Sequence, residues 1–263
     1  MPFNKKGLLG EDVNELIKEN YEQYKDIFKL SEEINMYAQE ITYILNINSN
    51  DTQGVVAGTL FIKILNTFQS VVILYKIGLD SQCKILTRAL LEYLFVLKCI
   101  VKDYTYLEML INSDDKNREL LLRNIKENPH GVFDSLINEI DIHELDELSR
   151  NNHKNKIKII STKQWAEMSE SYYEYYYAYK HLCKDVHVDI RNIGQFIKVD
   201  KDGNVDEFVM LPDIQDIRII LGHTANYAMI ETIICISDYS NIKSESKIKY
   251  FETKINDIDR HYN

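Results

Sequence analysis

The sequence predicts an all-α protein, a helical bundle carrying one small β-hairpin near residues 195–210. Three observations predict it. Only 9 glycines and 3 prolines interrupt 263 residues. Apolar side chains recur at three- and four-residue spacing, the period of an α-helix. That period gives way once, after Ile193, to two short β-type runs around an Asp-Gly turn. With 45% hydrophobic and 27% charged residues the composition is that of a globular chain, long enough to bury a sizeable core. The expected organisation is a single helical domain over 1–263, with the N-terminal helices of 11–47 free to pack as a subdomain.

Taken in order, a first helix is expected from Asp12 to Phe28. A second starts at Ser31, an N-cap type followed by Glu32 and Glu33 where the helix dipole favours acids. Asp51 and Thr52 cap a third that ends near Gly78, and Asp80 and Ser81 open a fourth that runs to Val101. Further helices are expected over Tyr104 to Asn112, Asp115 to Glu127 and Phe133 to Arg150, followed by a polar, basic connector from Asn151 to Ser161. A long helix then carries Trp165, a run of tyrosines and Cys183 as far as Val186 or His187. After the hairpin, Asp213 caps another long helix to Tyr239, and Ser244 starts a charged amphipathic helix that finishes the chain.

Charge narrows the partners. There are 31 basic against 41 acidic residues, a net charge of −10, which repels nucleic acid and acidic membrane surfaces at long range. The one basic stretch, Lys154, Lys156, Lys158 and Lys163, reads as a solvated connector, with a nucleic-acid contact as its alternative. Cys83, Cys99, Cys183 and Cys235 are far apart and lack a Cys-x-x-Cys spacing, so they read as reduced, packed thiols. No apolar stretch follows the lysines of residues 1–10, so no secretory signal is expected. Ile85–Val101, taken as the most apolar run, holds Arg88, Glu92 and Lys98 and is too short to span a bilayer. The expected location is the cytoplasm, with no membrane association.

The candidate site begins in Ile85–Leu97. This segment is apolar nearly all round, so it should be a buried central helix, yet Arg88 and Glu92 sit four residues apart on one face of it. Buried charges need partners. Either the two form an ion pair that ties down a neighbouring element, or a guanidinium and a carboxylate are held in a pocket to bind or turn over an anionic ligand.

The second segment is the tyrosine run, in which Tyr172, Tyr176, Tyr179, Cys183 and His187 share a helical stripe. Tyr176, Tyr179 and Lys180 are its candidate binding residues, against a plain core-packing role. His187 closes the stripe as a candidate proton carrier or as a capping histidine. A zinc site from His181, Cys183 and His187 fails because residues 181 and 183 point to different faces. Asp200, Asp202 and Asn204 do not match the calcium-loop pattern. No metal and no cofactor are expected. Nucleotide-binding glycine loops, a serine-hydrolase elbow and His-Glu-x-x-His are all absent from the sequence.

The Arg88-x-x-x-Glu92 pair inside an apolar helix, Trp165 opening a tyrosine-rich helix, and Tyr179 and His187 at its end resemble a widespread bacterial helical family labelled as a domain of unknown function. Residues 60 to 240 carry the resemblance. That family is similar in architecture to the HEPN helical proteins, whose members include metal-independent ribonucleases and toxins of antiviral defence. The resemblance implies a HEPN-like effector acting on RNA, a homodimer, with Arg88, Glu92 and His187 as catalytic residues. His187 or Glu92 would take the proton of a ribose 2′-hydroxyl while Arg88 stabilised the phosphorane charge.

HEPN ribonucleases carry Arg, then four to six intervening residues, then His. Arg123 with His130 and Arg218 with His223 match that spacing, as chance alone allows. Pro129 separates the first pair. On an α-helix the second pair would lie about 140° apart. The competing expectation is a non-catalytic helical module that binds a partner protein or a small ligand.

Overall fold

A computed structural model of the protein describes residues 6–127, 142–186 and 190–261. The described chain is helical apart from one two-stranded hairpin, as composition and periodicity predict. In chain order the helices are α1 (Val13–Gln23), α2 (Lys25–Ile44), α3 (Thr52–Ile77), α4 (Asp80–Lys102), α5 (Tyr104–Glu127), α6 (Ile142–Lys154) and α7 (Thr162–Met168). A π-helical segment, π1 (Glu174–Tyr179), leads into α8 (Lys180–Val186), followed by α9 (Ile190–Gly194) and the strands β1 (Ile197–Val199) and β2 (Val205–Phe208). A second π-helical segment, π2 (Arg218–Ala225), runs directly into α10 (Asn226–Tyr239), and α11 (Glu245–His261) follows.

Local chemistry explains the boundaries. Asp51 accepts the Gly54 N–H at 2.9 Å and caps α3. At the other end Gly78 adopts φ +87°, a conformation that favours glycine, so that Leu79 N–H reaches back to the Leu74 carbonyl at 3.0 Å. Asp80 then starts α4 with an acid in its first turn. Ser161 and Gln164 form a reciprocal capping box on α7.

Several boundaries differ from expectation. The chain breaks at Tyr24 rather than Phe28, and Ser31 lies inside α2, fully buried, its hydroxyl donating to the Ile27 carbonyl at 2.9 Å. A serine so bonded has no capping to do, and the apolar period runs straight through it. Residues 104–127 are one helix, not two. The long tyrosine helix is interrupted: Glu170 takes φ 61°, and Ser171 N–H closes on the Ala166 carbonyl at 2.8 Å before the helix resumes at Tyr172. Asp213 caps nothing. It lies in coil, and the helical bonding begins where Ile220 N–H meets the Asp216 carbonyl. The expected helix over 133–150 is found over 142–154, and residues 133–141 lie outside the described residues.

The hairpin forms where expected, with Ile197 opposite Phe208. Asp200 accepts the N–H groups of Asp202 and Asn204 at 2.9 and 2.8 Å, which is the work of a turn residue. The lysines of the basic connector are exposed, in keeping with a solvated link between α6 and α7.

One apolar cluster holds the helices together, with Ile27, Phe28 and Ile34 of α2, Phe61 and Phe68 of α3, Leu90 and Phe95 of α4, Ile233 of α10 and Phe251 of α11. Helix α4 is its hub, packed by α3, α7, α8 and α10. Two other helices carry fewer charges over a longer apolar stretch than Ile85–Val101. Thr52–Ile77 and Arg218–Tyr239 are long and apolar enough to cross a membrane, with 44% and 67% of their most apolar windows buried inside the fold. The uncovered side of α3 mixes Thr59, Lys63 and Asn66 with Val55, Ile62 and Ile73.

Away from the hub, buried Glu119 joins α5 to α6. It is bonded by Lys116 at 2.7 Å, Asn152 at 2.9 Å and Arg123 at 3.1 Å. Burial works against its charge, but these hydrogen bonds prevail and bring its pKa down to about 2. Arg123 also donates to Ser149 at 2.9 Å. It therefore serves a helix junction, and His130, its partner by spacing, lies outside the described residues.

Candidate functional site

Helix α4 pairs Lys98 with Glu231 of α10, whereas a row of its other polar residues lies on the side packed against α8 and π2. Asp80, Lys84, Arg88 and Glu92 recur at four-residue spacing and form a ladder down that side. In the upper half, buried Lys84 bridges Asp80 at 2.8 Å and Asp216 at 2.7 Å. Burial disfavours the ammonium, but hydrogen bonding to Asp216 and Asp80 outweighs it and keeps Lys84 charged. The Tyr75 phenol beside Asp80 is pushed up by burial and then by that carboxylate. Asp185 is raised by burial, against which Lys84 works, and Asp80 adds to the rise.

In the lower half the sequence-predicted pair forms: Arg88 Nη2 lies 2.9 Å from Glu92 Oε1. Two residues of the tyrosine helix complete the cluster. The Tyr179 hydroxyl accepts from Arg88 Nη2 at 2.5 Å and donates to Glu92 Oε1 at 2.6 Å. Arg88 Nε donates to Cys183 Sγ at 3.4 Å. Tyr179 is 5% exposed, stacks with Tyr175 at 5.2 Å and meets the edge of Phe95 at 6.3 Å. Burial first, then its hydrogen bond to Glu92, push its phenol well above the ordinary range. Arg88 and Glu92 keep side-chain exposures of 24% and 30%, so the cluster sits at the edge of the core.

The remaining predicted residues separate. His187 lies outside the described residues. Tyr176 packs on Tyr172 at 4.4 Å rather than on Tyr179, and Lys180 lies over the Tyr176 ring at 5.3 Å. The stripe read from an α-helical period is therefore split, because π1 intervenes. In a π-helix the backbone bonds i to i+5 and offsets the side chains on either side of it. Tyr179 and Cys183 meet Arg88 of α4, with Tyr175 stacked on Tyr179, while Tyr176 packs on Tyr172.

The opposite flank of the tyrosine helix borders a cavity of about 320 Å³ lined by residues of both π segments. From the first come Glu174, Tyr177 and Ala178, and from the second Ile219, Ile220, His223 and Thr224. Tyr173, His181, Leu182, Tyr227 and Leu91 complete the lining. Tyr173 and Tyr177 lie nearly parallel, 14° apart at 6.1 Å, and so do His223 and Tyr227. Tyr227 donates to Glu174 Oε1 at 3.4 Å, and burial together with the charges of Glu231 and Glu174 raises its pKa strongly.

The π geometry also revises the Arg218–His223 pair. Residues five apart lie about one turn above each other rather than about 140° apart. Even so, His223 lines the cavity and Arg218 does not.

Sequence reasoning missed Lys84 and Asp80, although the four-residue spacing upstream of Arg88 was there to be extended. It missed the cavity for a different reason, since π segments have no periodic signature. The four cysteines are free thiols, as expected, and burial lifts those of Cys99 and Cys235 to about 12.

No curated protein and no solved structure shows significant similarity to this chain. A family model does match, over residues 54–205, spanning α3 through the first residue of β2 and including Arg88, Glu92 and Tyr179. The match covers more than half of the chain, which therefore belongs to the family of unknown function DUF5677.

Proposed function

We propose that this chain is a non-catalytic helical module that binds a small ligand in the cavity between π1 and π2. The observation that carries the reading is the cavity's construction. Its volume of about 320 Å³ falls at the lower end of small-molecule sites. π-Helical turns are uncommon and concentrate at functional sites, and here both segments form its walls. Its lining is largely apolar, with few polar groups, the usual balance of a ligand pocket.

The test is ligand-observed NMR with benzyl alcohol as an uncharged aromatic probe, repeated on Ile219→Trp. Ile219 is 64% exposed at the cavity, so an indole there occupies the site without disturbing the core. The expected result is saturable binding at about millimolar affinity that Ile219→Trp removes while circular dichroism is unchanged. Binding that persists in the folded variant sinks the reading.

A second reading, a metal-independent ribonuclease of HEPN type, is favoured by the partial exposure of Arg88 and Glu92. On this reading a phosphate displaces Glu92 from the guanidinium, and Glu92 or His187 takes the proton. The supporting outcome is cleavage of labelled total RNA in chelator by the wild type but not by His187→Ala. Intact RNA after incubation with the wild type discards it.

A further inference from the structure

Resting on the ligand-binding reading, we infer that the cavity between π1 and π2 selects an organic cation, an ammonium or cationic heterocycle carried on an apolar body.

The electrostatics of the lining point to positive charge. Among the described residues of the lining, Glu174 is the one carboxylate and none is lysine or arginine. Glu231 stands behind Tyr227, with its own partner in Lys98 at 3.1 Å. Burial is the first cause of the upward shift of the Tyr227 phenol beside Glu174, and the charges of Glu231 and Glu174 add to it. Among the described lining residues an anionic ligand would meet Glu174 with only the imidazoles of His181 and His223 to offset it, and a neutral ligand would leave the carboxylate without a counter-charge.

The rings supply the second half of the recognition. Tyr173, Tyr177 and Tyr227 bring three tyrosine rings to one small cavity, beside the imidazoles of His181 and His223. The face of a tyrosine ring carries negative quadrupolar charge that attracts a cation, most of all one too bulky to be strongly hydrated. Tyr177 is 78% exposed and Tyr173 is 72% exposed, so their outer faces are open to a ligand. The apolar remainder of the wall, Ile219, Ile220 and Leu182, suits the hydrocarbon part of such a ligand.

Two other tyrosines of this helix already hold an internal cation, since Lys180 lies over Tyr175 at 5.9 Å and Tyr176 at 5.3 Å. Among the described residues of the cavity lining, no lysine takes that place.

The experiment compares benzyltrimethylammonium with benzyl alcohol by NMR titration of the full chain at fixed ionic strength, in wild type, Glu174→Gln and Tyr177→Ala. The expected result is roughly tenfold tighter binding of the cation, a preference that Glu174→Gln reduces to about twofold or less. Tyr177→Ala weakens the cation more than the alcohol. Equal or tighter binding of the alcohol overturns the cation proposal and leaves the cavity reading in place. Failure of both probes to bind overturns both. A cation preference unchanged in both variants also overturns the proposal, because it assigns the attraction to the net charge of −10 rather than to this site.

Discussion

The tyrosine-rich helix has two flanks, and they handle polarity in opposite ways. On the flank facing α4, Arg88, Glu92, Tyr179 and Cys183 are joined by short hydrogen bonds, and Lys84 continues the arrangement with Asp80 and Asp216. On the flank facing π2, rings and one carboxylate border an open cavity. The first flank has found its partners within the chain, whereas the second has space for one from outside. A charged pair in an apolar helix therefore marks a seam between helices as readily as a reactive centre. The more receptive surface lies on the far side of the same helix.

The largest effect expected from breaking this contrast comes from Lys84→Ala. It leaves buried Asp80 without a counter-charge beside the partly exposed Asp216, and urea unfolding should show a loss of about 3 kcal/mol. Next is Arg88→Ala, which strips Glu92 and the buried Tyr179 hydroxyl of a shared donor. Because the pair is partly exposed, the expected loss is about 2–3 kcal/mol. A variant as stable as the wild type would show that the guanidinium is not held for structural reasons and would revive its catalytic reading.

Tyr179→Phe keeps the ring packing and the Arg88–Glu92 pair but deletes the bridging hydroxyl, for which about 1–1.5 kcal/mol is expected in the same assay. At the small end, Tyr177→Ala on the open flank should change stability by no more than about 0.5 kcal/mol. A large loss there would mean that the cavity wall belongs to the core after all, and the contrast between the flanks would collapse.

The helical character was legible because it depends on apolar spacing and on few breakers, both of which are local. The Asp51 cap, the stop at Gly78 and the hairpin were legible for the same reason. The Arg88–Glu92 pair could be placed on one face from spacing alone, but its partners could not, since Tyr179 and Cys183 lie about ninety residues away in the chain. Ser31 misled because capping preference is weaker than an uninterrupted apolar period. The tyrosine stripe misled because it assumed an α-helical period across a segment that is π-helical. The cavity escaped notice altogether: its lining residues are ordinary tyrosines, histidines and isoleucines whose significance arises only when two distant irregular segments meet. The family match ends at residue 205, so it contains one wall of that cavity and not the other.

The two π segments also bear on how this chain tolerates change in length. A π turn amounts to one residue more than an α-helical turn holds. Deleting a single residue from Glu174–Tyr179 or Arg218–Ala225 would let the helix relax to the regular period and rotate everything downstream by about 100°. Cys183 would swing away from Arg88 in the first case, and Tyr227 away from Glu174 in the second. Substitutions in these stretches alter one side chain at a time, whereas a one-residue deletion reassigns every later position on the helix to a different neighbour.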